Sequence, residues 1–233
     1  MRRWVIRIIL VIVVCLGGAN LYFHYGFRVA DRVRAAAALR MQAHGVHALT
    51  YEQIPVAFRE AMIATEDRRF ATDPGIDPIG IARSLVVDIE QDGYVEGGST
   101  ITQQLVDNTI LTKQKTLRRK LLQAFYAIGL YDTMSKHEVF SLYSNVIYFG
   151  HGAYGLYNAC ETYFGRTPGE CNEGELTMLA GLPNAPSAYD PFTNFTLARE
   201  RQRIVLENMV DDHQLTEAQA MHIFAEPIRL RHL

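Results

Sequence analysis

Only three of the 233 residues are cysteine and one is tryptophan. Too few cysteines are present for a disulfide-dense miniprotein. Neither sign of charge dominates: 23 Lys and Arg stand against 25 Asp and Glu, a formal −2. That balance lacks the basic surplus of a nucleic-acid binder, so nucleic acid is not an expected partner. Repeats, low-complexity tracts and convincing period-two strands are absent, and the apolar fraction is an ordinary 48%. Collagen, a disordered tail and a polytopic membrane protein are excluded with them. The length allows one or two domains with a sizeable core.

There is one long apolar run. Ile8 to Phe27 holds twenty residues without Asp, Glu, Lys or Arg, and as a helix it would rise about 30 Å, the thickness of a hydrocarbon core. Arg2, Arg3 and Arg7 precede it, and Tyr22, Phe23 and Tyr25 end it at headgroup level. The expectation is one N-terminal transmembrane helix with the N-terminus in the cytoplasm. A cleaved signal peptide is the competing reading, with Gly17 and Ala19 imitating its cleavage site. Residues 1–27 then form a cytoplasmic tip and anchor, 28–50 a juxtamembrane connector, and 51–233 one mostly α-helical domain. Without its first 27 residues the chain carries a net −5. Ten residues separate Cys160 from Cys171; a disulfide and two buried thiols are both compatible with that spacing.

Helix signals dominate the rest. Pro55 opens a segment expected to run to about Phe70, and Asp77-Pro78 opens another. Capping-box pairs recur at Thr100/Gln103, Ser135/Glu138, Thr167/Glu170 and Thr216/Gln219. Leu121, Leu122, Phe125 and Ile128 return at helical spacing.

Three places could carry chemistry. Glu66 falls on a stripe with Phe58, Met62 and Phe70 at successive i+4 steps. A carboxylate on an apolar helix face is paired, protonated or set in a cleft, and desolvation raises its pKa toward that of a general base. The plainer reading is a structural carboxylate held by Arg68 or Arg69. Asp67 then reads as a supporting acceptor. Gly97-Gly98-Ser99-Thr100-Ile101-Thr102-Gln103-Gln104 joins two glycines to a helix start whose free N–H groups favour anions; a well-capped helix explains it equally. The basic run Lys113, Lys115, Arg118, Arg119, Lys120 has no acid between Asn108 and Tyr131, suiting a diphosphate, an anionic membrane or merely water. Gly150 to Gly155 satisfies G-x-G-x-x-G, but no strand precedes it, so no nucleotide is expected.

Together these segments resemble the family-51 glycosyltransferases, the peptidoglycan polymerases, and among them the monofunctional biosynthetic transglycosylases. Glu66-Asp67-Arg68-Arg69-Phe70 resembles the first motif, GGSTITQQ the second, Arg119-Lys120 the third. Tyr143 to Gly150, YSNVIYFG, resembles the fourth, and Glu175 with Leu179 to Pro186 the fifth. The resemblance implies a mostly α, lysozyme-like, two-lobed domain at the outer face of the bacterial cytoplasmic membrane. It implies polymerisation of lipid II onto a growing glycan strand by β-1,4 transfer with inversion, releasing undecaprenyl diphosphate. Glu66 would be the catalytic base, supported by Asp67 and Phe70. Ser99, Thr100, Gln103, Gln104, Lys115, Arg119, Lys120 and Asn145 would bind substrate and diphosphate. Mg²⁺ or Mn²⁺ would assist the leaving group, and membrane lipid and other cell-wall synthesis proteins would be partners.

Four positions depart from the family pattern. Asp73 stands where His is usual, Asp107 where Lys is usual, Lys115 where Arg is frequent, and Gln123 where the third motif ends in Glu. They admit an alternative: a weakened or inactive member that binds lipid-linked glycan or a cell-wall partner. A lytic muramidase is a third reading, in which GGSTITQQ has no role.

Overall fold

The computed structural model describes residues 14–15, 17–19, 28–80, 98–112 and 116–231. Most of the expected membrane helix over 8–27 falls outside these residues, and Gly97, Lys113 and Lys115 lie outside them too. Among the described residues no helix is long and apolar enough to cross a membrane.

The described chain is helical, with no β-strand; one isolated bridge joins Tyr148 to Tyr154. Its helices are α1 (Val29–Ala43), α2 (Val56–Glu66), α3 (Ile101–Thr109), α4 (Leu117–Tyr131), α5 (Lys136–Val146), α6 (Leu156–Phe164), α7 (Glu173–Gly181), α8 (Phe195–Asp211) and α9 (Glu217–Ala225). They form two groups. In one, α7 is buried along its length and packs on α2, α8 and α9. In the other, α1, α3, α4 and α5 pack together, and α6 touches both α5 and α7.

Several boundaries differ from the sequence reading. Residues 28–50 are not merely a connector: α1 buries Val29, Ala30, Val33 and Ala37 in the core. Alanine-rich helix surface allows that close packing where a sparse apolar pattern suggested a linker. The helix after Pro55 ends at Glu66, four residues early, because Asp67 takes an extended φ of −159°. Phe70 stays in the core from the following turn. On α4 the buried side is Gln123, Tyr126, Ala127 and Leu130, whereas Leu121 and Ile128 are exposed.

Caps explain where the helices start. Thr100 accepts from the Gln103 backbone N–H at 3.1 Å while the Gln103 side chain accepts from Thr100 N–H at 3.0 Å, fixing the first turn of α3. The glycine-rich run before α6 is a tight turn: Gly155 has φ +78°, and a Cβ there would lie 2.9 Å from the Asn145 carbonyl oxygen.

Candidate active site

Glu66 is the last residue of α2, at the junction of the two helix groups. It is partly buried, and its Oε2 accepts a hydrogen bond from Gln104 Nε2 on α3. Tyr143 of α5 donates to the other end of the same amide, Oε1, at 3.0 Å. Burial raises the Glu66 pKa, while the Gln104 bond and the charge of Arg201 on α8 oppose the rise. Neither neighbouring arginine holds it. Arg68 donates to Asn208 at 2.9 Å, and Arg69 forms a two-pronged pair with Asp77.

Asp67 lies beside it but faces α3. Its Oδ2 accepts the Ile101 N–H at 3.0 Å, at the helix N-terminus, and its buried Oδ1 has no partner. Burial, then the Asp73 carboxylate, push Asp67 up to about 7. Asp73 closes the following turn: Oδ1 accepts from Gly75 N–H at 2.6 Å and Oδ2 pairs with Lys136 at 3.0 Å. The Lys136 ammonium lies 4.7 Å from the centre of the buried Phe70 ring, joining that ring to the pair. Gly75 has φ +88°, and a Cβ would meet the Ala127 carbonyl oxygen at 2.2 Å. Only glycine fits, and the buried Gly75 carbonyl accepts from Thr100 Oγ1 at 2.7 Å.

The second motif therefore divides its labour. Thr100 and Gln103 are buried and spent on the α3 cap; Gln104 reaches Glu66; Ser99 Oγ receives Lys120 Nζ at 2.7 Å. Beyond Lys120, Arg119 donates to Asp107 Oδ1 at 2.7 Å and Gln123 Nε2 donates to Asp107 Oδ2. The two substituted positions, 107 and 123, are thus bonded to each other across α3 and α4. Burial raises the Asp107 pKa, and Arg119 leads the opposing effects. Asn145 takes no part in these contacts: its amide both donates to Leu49 O and accepts from Leu49 N–H, each at 2.9 Å. It lines a groove of about 400 Å³ with Met41, Tyr51 and Leu142 instead. Lys115 lies outside the described residues.

A divalent ion finds a poor donor set near the third motif. Both Asp107 oxygens are engaged by Arg119 and Gln123, and position 123 offers a neutral amide. Among the described residues no group of three or more His, Cys, Asp or Glu could hold a metal. Among the described residues the donor set does not fit the ion that the resemblance implied, so no step is drawn through one.

Tyr143, Lys136 and Arg201 were not singled out from sequence as site residues. Tyr143 opens the fourth motif, which marked the segment but not its contact with Gln104. Lys136 and Arg201 sit among ordinary helix-surface charges with no local signal.

The model of the transglycosylase family matches residues 32–210. Penicillin-binding protein 1A of Haemophilus influenzae is 40% identical over 175 residues, 75% of this chain and 20% of that protein. Penicillin-binding protein 1A of Aquifex aeolicus is 39% identical over 183 residues, 78% of this chain and 25% of that protein. The chain thus spans a fifth to a quarter of these relatives. A Cupriavidus necator protein named as a transglycosylase is 35% identical over 230 residues and aligned over 99% of both chains. With a family model covering most of its length and a relative matched end to end, the chain belongs to the transglycosylase family.

Proposed function

We propose that the protein is a peptidoglycan glycosyltransferase that polymerises lipid II at the outer face of the cytoplasmic membrane, with Glu66 as general base. One observation carries the assignment: Glu66 is a desolvated carboxylate that, among the described residues, has no ion-pair partner and is held by one amide at Oε2. Burial raises its affinity for a proton against the opposing Gln104 bond and Arg201 charge, the property a base needs to take one near neutral pH.

In this reaction Glu66 takes the proton of the acceptor sugar's 4-hydroxyl. The freed oxygen pair attacks the anomeric carbon of the growing strand, and the bond to the lipid diphosphate breaks with inversion. The leaving group departs as an anion, so a second carboxylic acid is not required. Lys120, set beside Ser99, supplies positive charge where the diphosphate's charge develops. Arg119 is partly neutralised by Asp107 and contributes less.

The test compares purified wild type with Glu66→Gln in lipid II polymerisation. The variant loses at least ~10³-fold in rate, the scale of removing an essential proton acceptor, with an unchanged unfolding midpoint. Equal glycan synthesis by both would remove Glu66 from this role. A binding-only reading draws on Asp107, which puts an acid beside Arg119. Lipid II capture by wild type with no polymer formed would favour it.

A further inference from the structure

Gln104 engages one oxygen of Glu66, Oε2; among the described residues no hydrogen bond reaches Oε1. A carboxamide presents a donor on one side and an acceptor on the other, so whatever fixes its far end decides which face meets the carboxylate. Here the far end meets Tyr143, whose hydroxyl donates to Gln104 Oε1 at 3.0 Å. Tyr143 is fully buried on α5, packed against Phe140 with ring centres 6.4 Å apart. Burial, then the nearby Glu66 and Asp67 carboxylates, push its phenol well above the usual range. The hydroxyl therefore keeps its proton at every working pH. Arg201 acts on Glu66 from α8 and Asp67 lies next in sequence, but neither bonds Gln104.

We propose that Tyr143 is a positioning residue for the proton transfer: its hydroxyl orients the Gln104 amide, the amide caps Glu66 Oε2, and Oε1 becomes the oxygen that takes the acceptor's proton. This rests on Glu66 acting as the base. The acceptor's O–H bond breaks, its proton bonds to Oε1, and its electron pair forms the new bond to the anomeric carbon as the diphosphate leaves with the old one. Tyr143 and Gln104 exchange no proton. The cap favours carboxylate over carboxylic acid, so an amide free to turn lets burial raise Glu66 further.

Tyr143→Phe keeps the ring and removes the hydroxyl. It lowers kcat about tenfold with KM within about twofold, the scale of one hydrogen bond to a charged group. The acid limb of the pH–rate profile moves up by about half to one pH unit. A Gln104→Leu variant moves the limb the same way, and adding Tyr143→Phe to it moves the limb no further. Independently of turnover, the Glu66 carboxyl of the full chain in detergent is titrated by carbon-13 NMR, and its midpoint rises in Tyr143→Phe. An unchanged Glu66 midpoint and acid limb overturn the proposal, even where kcat or the unfolding midpoint falls. Failure of the wild type to polymerise lipid II defeats the base assignment instead, and the NMR titration still decides whether Tyr143 governs Glu66.

Discussion

Asp67, next to the proposed base, shows how burial, aided by the Asp73 carboxylate, reshapes an acid. Its pKa near 7 lies above the ordinary aspartate value, so the folded state binds the proton more tightly than the unfolded chain. Its stabilising share is therefore complete below about pH 4 and is lost as pH rises toward about 7. Asp67→Asn can keep the oxygen that accepts from Ile101 without ionising. Relative to wild type, the variant gains on the order of 1–3 kcal/mol between pH 5 and pH 8. Urea unfolding at the two pH values measures it, and a pH-independent difference would contradict the assignment. From the residues alone, Glu66 was legible because its stripe is local. Its partners were not, since Gln104 and Tyr143 lie 38 and 39 residues further along in succession and meet only after folding.

Between elements, Asp107 of α3 and the Arg119–Gln123 turn of α4 form one unit. Asp107 and Gln123 lie 16 residues apart on two helices, so no local pattern signals their bond. Asp107→Lys places a third cation beside Arg119 and Lys120 and loses its acceptor role, costing about 1–2 kcal/mol. Adding Gln123→Glu restores the opposite charge and recovers most of that loss. A double-mutant cycle in urea that gave additive effects would separate the two positions again. Helix starts were more legible, because a cap needs only residues three apart. Thr100/Gln103 and Thr216/Gln219 form the expected reciprocal boxes. Ser135 caps α5 by itself, because the Glu138 carboxylate turns to Arg34, 104 residues away. The spacing of Leu121, Leu122, Phe125 and Ile128 marks α4 as a helix but not its buried side, which includes polar Gln123.

At the scale of the whole molecule, the segment beyond the family match still belongs to the core around α7. Glu226 accepts from Gly174 N–H at 2.7 Å, Asn172 donates to Pro227 O at 3.0 Å, and Arg231 N–H donates to Tyr163 O at 2.7 Å. No sequence pattern marks those contacts, which join backbone to distant side chains or, at Arg231, to distant backbone. Truncation after Asp212 strips α9 and these bonds from α6 and α7, the latter packed on α2 and α8. Thermal unfolding followed by circular dichroism should shift down by at least ~5 °C; an unchanged midpoint would make the segment an ornament. The meeting of the helix groups has a further electrical consequence. Because α2 stops at Glu66 and α3 opens against Asp67, two consecutive carboxylates lie at opposite poles of two peptide dipoles. The negative pole of α2 favours the protonated acid at Glu66, and the positive pole of α3 favours the anion at Asp67. A single peptide bond thus separates two neighbours whose proton affinities the backbone itself pulls in opposite directions.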